Sequence, residues 1–308
     1  MRAITYSRYG GSDVLELTDL PTPKVGPDSV LVRVRAASVN PVDWKVRQGY
    51  LDPLMDVTFP AVPGWDVAGV VERVGLDTPE LAVGDEVYGY VRKDWVQGGT
   101  FAEYVSAPVR TLARKPGNLS FEEAAAVPLA GLTAWQSIRR AGVTAGQTVL
   151  VHAAAGGVGQ FAVQIARALG ARVVGTASAR NHDHLRELGA EPVEYGEGLA
   201  DRVRALVPGG VDVVLDYGSD DLVATSRAVL APGGTVASIV DAKARDELGG
   251  HYVWVRPSSA DLEELGALLE DGRVRVDVGQ VFELADAAAA HDASATGHTR
   301  GKIVVRVD

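Results

Sequence analysis

Hydrophobic residues recur every second position over Ser29–Ala36 (SVLVRVRA), at Val30, Val32, Val34 and Ala36, and that period of two predicts a half-buried strand. Val67–Val74 is dense in β-branched residues, and Gly84–Tyr90 (GDEVYGY) and Thr100–Val105 read as further strands. Pro21, Pro23, Pro27, Pro41, Pro53, Pro60 and Pro63 fix φ and remove amide donors. Long helices are therefore excluded, and this part of the chain is expected to be mostly β.

From Ser120 the period lengthens to that of a helix, over SFEEAAAVPLAGLTAWQSIRRAG (Ser120–Gly142), behind a capping box in which the Ser120 hydroxyl can accept from the Glu123 amide. Strands and helices then alternate: Thr148–Ala153 and Val158–Leu169, Arg172–Thr176 and His182–Leu188, Val211–Tyr217 and Leu222–Leu230, and the strand Gly234–Val240. Strands separated by single helices imply right-handed crossovers and a parallel sheet. The tail carries a helix at Ser259–Glu270, another at Leu284–Ala290, and a last strand, Lys302–Val307, expected to return to the β half. With 308 residues, 46% of them hydrophobic, two cores can be buried. The expected domains are 1–118 with 258–308, and 119–257.

One segment of this alternation carries chemistry. Val149–Gly159 (VLVHAAAGGVG) supplies a buried strand, then A-x-G-x-x-G at Ala154, Gly156 and Gly159, then a helix from Gln160. A pyrophosphate needs free backbone N–H donors and the positive end of a helix dipole, reachable only where side chains are absent. Ala154 stands where the usual fingerprint has its first glycine, so the strand before, the helix after and the further βα units carry the assignment. The amides of Ala155, Gly156, Gly157 and Val158 are the expected donors. An NAD site places an acid at the end of the next strand to bind the ribose 2′-hydroxyl. This chain has GTASARNHDH there, with no acid before Asp183, and Ser178, Arg180 and Asn181 are suited to a 2′-phosphate. NADPH is the expected cofactor.

Composition narrows the rest. The chain has no cysteine, which removes disulfides, thiolate catalysis and every cysteine-containing zinc site. His182 and His184, two apart on an expected helix, face different directions with no third ligand nearby, and are read as surface residues. No metal site is expected. A net charge of −10 has the wrong sign for nucleic acid or an anionic membrane. No apolar run approaches the ~18 residues of a spanning helix, and MRAITYSRYGG lacks the apolar core and cleavage site of a secretion signal. A cytoplasmic protein is expected.

Several segments together resemble the medium-chain dehydrogenase/reductase superfamily, in its zinc-free quinone oxidoreductase (zeta-crystallin-like) branch. They are Ala36–Gly49 (AASVNPVDWKVRQG), Pro63–Gly75 (PGWDVAGVVERVG), Val83–Gly89, Gly98–Val105 (GGTFAEYV), Leu132–Ile138, the phosphate turn and Gly301–Val305 (GKIVV), spanning nearly the whole chain in order. The resemblance implies an α/β fold with a GroES-like, mostly β catalytic domain and a Rossmann doubly wound parallel-sheet domain, the active site lying in a cleft between them. It further implies hydride transfer from NADPH to a quinone or an α,β-unsaturated carbonyl, in a homodimer joined through Rossmann sheet edges such as Tyr252–Val255. A non-catalytic NADPH-binding or sensing protein, and an accessory enoyl reductase of one pathway, remain as alternatives.

Residue by residue, the resemblance sets Asn40 beside nicotinamide and substrate, a position equally suited to a turn asparagine before Pro41. Lys45 stands where relatives have tyrosine or lysine, and is either a donor to the substrate carbonyl or a solvated side chain. Tyr50 is a second candidate donor, and Trp44 and Trp65 either shape the pocket or pack the core. Asp43 and Asp66 are read as holding loop amides. On the cofactor side the resemblance adds Thr133, Ser238, Ile239, Val240, Val255 and Arg256, the basic pair Arg300 and Lys302 near the phosphates, and Tyr195, one position from the tyrosine that relatives set against the 2′-phosphate.

Overall fold

The computed structural model describes residues 1–297 and 299–307, in two compact units. The first comprises Met1–Leu132, Pro257–Glu270 and the chain from Val276 onward, and the second comprises Thr133–Arg256 and Asp271–Arg275.

In the first unit β1 (Arg2–Thr5) and β2 (Glu16–Asp19) form an antiparallel pair. A larger sheet contains β3 (Ser29–Val39), β4 (Asp66–Val74), β5 (Glu86–Tyr90), β6 (Tyr104–Pro108) and β7 (Leu112–Arg114), and near the C-terminus β14 (Val278–Glu283) and β15 (Lys302–Arg306). Its order is β14-β15-β3-β4-β5-β7, with β6 also on β3, and every pairing except β14 with β15 is antiparallel. β3 is flanked along its whole length, by β4 on one side and by β6 and then β15 on the other. That explains why it is buried nearly throughout while its alternating Arg33 stays exposed. The core gathers Val30, Val32, Val34, Val67, Val71, Phe101 and Val305. The short helix α1 (Pro41–Arg47) starts directly after β3 because Pro41 is pre-organised for a first helical position.

The single helical texture from Ser120 resolves into α2 (Phe121–Ala125) and α3 (Pro128–Ala141). Pro128 has no N–H to continue α2, and serves instead as the first residue of α3. α2 packs on β3 and β4, and Arg306 of β15 reaches Glu122 at 3.0 Å, which keeps 119–132 with the first unit rather than with the nucleotide half.

The second unit runs β8 (Thr148–Val151), α4 (Gly159–Ala168), β9 (Arg172–Thr176), α5 (His182–Leu188), β10 (Glu191–Val193), α6 (Leu199–Leu206), β11 (Val211–Asp216), α7 (Leu222–Val229), β12 (Leu230–Ser238), α8 (Lys243–Asp246) and β13 (His251–Tyr252). All its strands are parallel, in the order β10-β9-β8-β11-β12-β13. The strand order reverses between β8 and β11, and open α/β sheets bind ligands beyond the carboxyl ends of their strands at such a point. α9 (Ser259–Glu270) and α10 (Ala287–Ala295) belong to the first unit. Among the described residues no helix is long and apolar enough to cross a membrane.

The Ser120 box is present: the Glu123 amide donates to Ser120 Oγ at 3.1 Å and the Ser120 amide to Glu123 Oε2 at 2.8 Å. Ser120→Ala should lower stability by about 1 kcal/mol, read as a lower urea midpoint at unchanged slope.

Candidate cofactor and active site

At the end of β8 the chain turns through Ala153, the one described non-glycine residue with positive φ, at 51°. The last residue of β9 holds this turn, since Thr176 Oγ1 accepts the Ala153 amide at 3.1 Å and the Thr176 carbonyl accepts that of Ala154 at 3.0 Å. The Gly156 amide donates inward to the Ala153 carbonyl at 3.0 Å, so it is not the free donor the sequence suggested. Among the described residues the amides of Ala155, Gly157, Val158 and Gly159 find no acceptor. They open α4, where the helix dipole adds partial positive charge. Gly159 is required by contact: a Cβ there would lie 2.2 Å from the Ala153 carbonyl oxygen and 2.6 Å from Ala154 Cα.

Beyond β9, Ser178 leads into a single turn at Ala179–Asn181, with Asn181 Nδ2 3.4 Å from Ser178 Oγ. Arg180 is exposed and has no partner among the described residues. His182 and His184 are half-buried rather than on the surface, His182 with a ring nitrogen 3.3 Å from the Ala177 carbonyl. Tyr195 is exposed, on a loop whose Glu194 and Glu197 carbonyls accept from the Arg202 guanidinium. Ser238 is buried and Val240 half-exposed in the turn after β12. Both backbone polar groups of Arg256 are met by the Gln136 side chain at 2.9 Å each. Thr133 is buried on α3, its carbonyl accepting from Ser137 Oγ at 2.6 Å.

In the first unit the structure brings together four residues that the sequence named separately, Asn40, Asp43, Asp66 and Lys302, all buried. Asp66, at the start of β4, accepts Ser38 Oγ and Asn40 Nδ2 at 2.8 Å each on one oxygen and the Leu129 amide at 2.8 Å on the other. Lys302, 3% exposed, donates to Asn40 Oδ1 at 2.5 Å and to the Val39 carbonyl at 3.2 Å, with Asp66 3.8 Å away. Expected near cofactor phosphates, Lys302 is instead an internal counter-charge that, with Asp66, clamps both ends of the Asn40 amide. Arg300, its expected partner, is exposed and pairs with Asp277 at 3.5 Å. Burial lowers the Lys302 ammonium and raises the Asp66 carboxyl, and their mutual attraction opposes both shifts.

The Asp43 carboxylate accepts the Asn40 amide at 2.7 Å and so caps α1, and burial pushes its carboxyl up to about 7. Arg47, buried at the far end of α1, donates to the Gly10 carbonyl and to His291 Nδ1, each at 3.2 Å. Between these anchors Lys45 Nζ lies 5.5 Å from the Trp44 ring, and Tyr50 beyond the helix is 66% exposed. Trp65 is buried edge-on to Tyr90 at 6.2 Å, which makes it core.

Sequence reasoning missed Thr176, Gln136, Arg202, Arg47 and Asp216. Asp216 alone left a signal: an acid ending the otherwise apolar run Val213–Leu215.

Lys302→Met should cost roughly 3–5 kcal/mol of unfolding free energy, because it strands Asp66 as an uncompensated buried charge. The folded pKa of Asp43 lies above its ordinary 3.8, so the protonated form is favoured in the fold. Its contribution is complete below 3.8 and is lost as pH rises through about 7. Unfolding measured from pH 4 to 8 should show that fall, and Asp43→Asn should flatten it.

Comparison with known proteins agrees with this architecture. Residues 26–117 match the alcohol dehydrogenase GroES-like domain and residues 188–305 the zinc-binding dehydrogenase family. A chloroplastic NADPH-dependent alkenal/one oxidoreductase of Arabidopsis thaliana is 37% identical, over 99% of this chain and 79% of the relative. The quinone oxidoreductase of Coxiella burnetii superposes with a TM-score of 0.89 at 34% identity, over 100% of this chain and 99% of that one. A mycobacterial protein solved in complex with NADPH has a TM-score of 0.86 at 31% identity, with both chains covered in full. The chain belongs to the quinone oxidoreductase branch of the medium-chain dehydrogenase/reductase superfamily.

Proposed function

We propose that the chain transfers a hydride from NADPH to a quinone or an α,β-unsaturated carbonyl, without zinc. The observation that carries this reading is the row of unpaired amides at Ala155 and Gly157–Gly159, opening α4 where the strand order reverses. Kinship with the alkenal/one and quinone oxidoreductases supplies the substrate class. The name of the matched zinc-binding family raises the question of a metal. The residues do not fit one: the chain has no cysteine, and among the described residues no three His, Cys, Asp or Glu side chains cluster as ligands.

NADPH, when bound, supplies the hydride. The free amides of the turn receive its diphosphate, and Arg180, flanked by Ser178 and Asn181, receives the 2′-phosphate with Tyr195 beside it. Thr133 bonds the cofactor near its nicotinamide half, and the Ser238–Val240 turn with Val255–Arg256 holds the carboxamide and the diphosphate. Asn40, locked by Lys302 and Asp66, presents a fixed amide near the reacting groups. As the hydride reaches the electrophilic carbon, negative charge builds on the carbonyl oxygen, and Lys45 or Tyr50 donates to it. The proton that completes reduction comes from one of these donors or from solvent. The same reading takes the protein as a cytoplasmic homodimer, joined along the open sheet edge at Tyr252–Val255, where Trp254 is exposed.

The test compares NADPH and NADH oxidation with 9,10-phenanthrenequinone and a conjugated enone. The wild type should consume NADPH with at least one acceptor, and nucleotide binding without turnover over a wide panel would leave only a sensor. Arg180→Ala should raise the KM for NADPH roughly tenfold or more, as expected for a lost charge-assisted hydrogen bond, and leave NADH unchanged. An equal loss with both nucleotides would remove the 2′-phosphate role. Lys45→Ala should lower kcat roughly tenfold or more if its ammonium meets the oxyanion, and an unchanged kcat would leave Tyr50 or solvent as donor.

A further inference from the structure

The loops that follow β11 and β12 are tied together by one buried carboxylate that the proposed chemistry does not use. Asp216 has no exposed surface. Its Oδ1 accepts the Gly218 amide at 3.1 Å and its Oδ2 the Ser238 hydroxyl at 2.7 Å. Ser238 Oγ in turn accepts the amides of Val240 at 3.1 Å and Asp241 at 2.9 Å, and the Asp216 carbonyl accepts that of Ile239 at 3.2 Å.

The donor and acceptor count fixes what position 216 must be. A hydroxyl has one proton and two acceptor lone pairs. Both lone pairs of Ser238 are taken by amides, so its proton must point at Asp216. Gly218 also presents a proton, and residue 216 must therefore accept at both ends. Asparagine cannot. With its oxygen toward Ser238 its NH₂ opposes the Gly218 amide, and flipped, its NH₂ meets a hydroxyl with no lone pair left. His152, buried at the end of β8, is held below its ordinary imidazole range by burial against the opposing pull of Asp216.

We propose that Asp216 is a positioning residue that, through Ser238, fixes the Ser238–Asp241 turn and with it the support for the nicotinamide half of the cofactor. The inference rests on the dinucleotide reading above, but the linkage itself is independent of turnover. Its effect is confined to one end of the nucleotide, because Ser178, Arg180 and Asn181 follow a different strand, β9.

Asp216→Asn and the milder Ser238→Ala test it by two readouts. Amide hydrogen exchange followed by NMR in the protein without nucleotide should be at least tenfold faster at Val240 and Asp241 in both variants, with the amides of β8 and β9 unchanged. In steady-state assays with 9,10-phenanthrenequinone, kcat should fall roughly tenfold, with the ratio of NADPH to NADH efficiency as in the wild type. Wild-type exchange at Val240 and Asp241 in Ser238→Ala would overturn the linkage. Accelerated exchange with unchanged kcat, or a changed nucleotide preference, would overturn the positioning role. If the wild type oxidises no NADPH, the function reading fails while the exchange result still decides the linkage.

Discussion

A carboxylate removed from water must be met by donors or take up a proton, and each unit of this protein is arranged around one. Asp66 does this in the first unit. Its partners come from the end of β3, from the first turn of α3 and, through Asn40, from Lys302 at the start of β15. A strand from early in the chain and one from its far end are thus pinned at the same point. The Leu129 amide it accepts belongs to the opening turn of α3, where the helix dipole adds to the attraction. Asn40 is held as a consequence: with a cation on its oxygen and an anion on its nitrogen, the amide has one orientation available.

The second unit uses the same constraint in the opposite sense around its turn. Where Asp216 is met by the Gly218 amide and the Ser238 hydroxyl, the segment after β8 leaves the amides of Ala155, Gly157, Val158 and Gly159 without an acceptor among the described residues. A helix start leaves its first amides without intrahelical acceptors, and a row of them beside a glycine turn suits the acceptor proposed from outside the chain. What keeps them free is the packing behind them. Thr176 holds the two residues before the row, the Gly156 amide closes the turn on the Ala153 carbonyl, and Gly159 lets α4 press against that same carbonyl.

Much of this was legible in the sequence where a residue type has one structural use. The period of two at Ser29–Ala36 reads as a strand, and Ser120 with Glu123 as a helix start, although Pro128 cut the helix that followed. The glycine turn and the lack of an acid before Asp183 outline the nucleotide site as it is proposed above. Elements too short to show a period were not legible: β1, β2, β10, and α1, which begins at a proline that elsewhere breaks helices. Nor was the role of Lys302. A lysine five residues before the last described one reads as solvated or phosphate-binding, and only the pairing of β15 with β3 carries it into a buried cluster. Gly156 is the same lesson at smaller scale, since which glycine amide is spent inside a turn depends on φ at Ala153 and not on composition.

The two ends of the proposed nucleotide site differ in how they are built, and that difference has a consequence for how such a site can change. The 2′-phosphate end consists of exposed side chains, Arg180 foremost, on a turn that the fold does not lean on. Replacing them alters affinity for one nucleotide at little structural cost, because exposed positions away from caps and cores tolerate substitution. The proposed nicotinamide end hangs on two buried side chains, Asp216 and Ser238, whose hydrogen bonds lead on to two amides. Asparagine at 216 or alanine at 238 unbalances the count of donors and acceptors there. On the proposed reading, cofactor preference is therefore the more adjustable property of this arrangement, and the support of the nicotinamide end the less adjustable one.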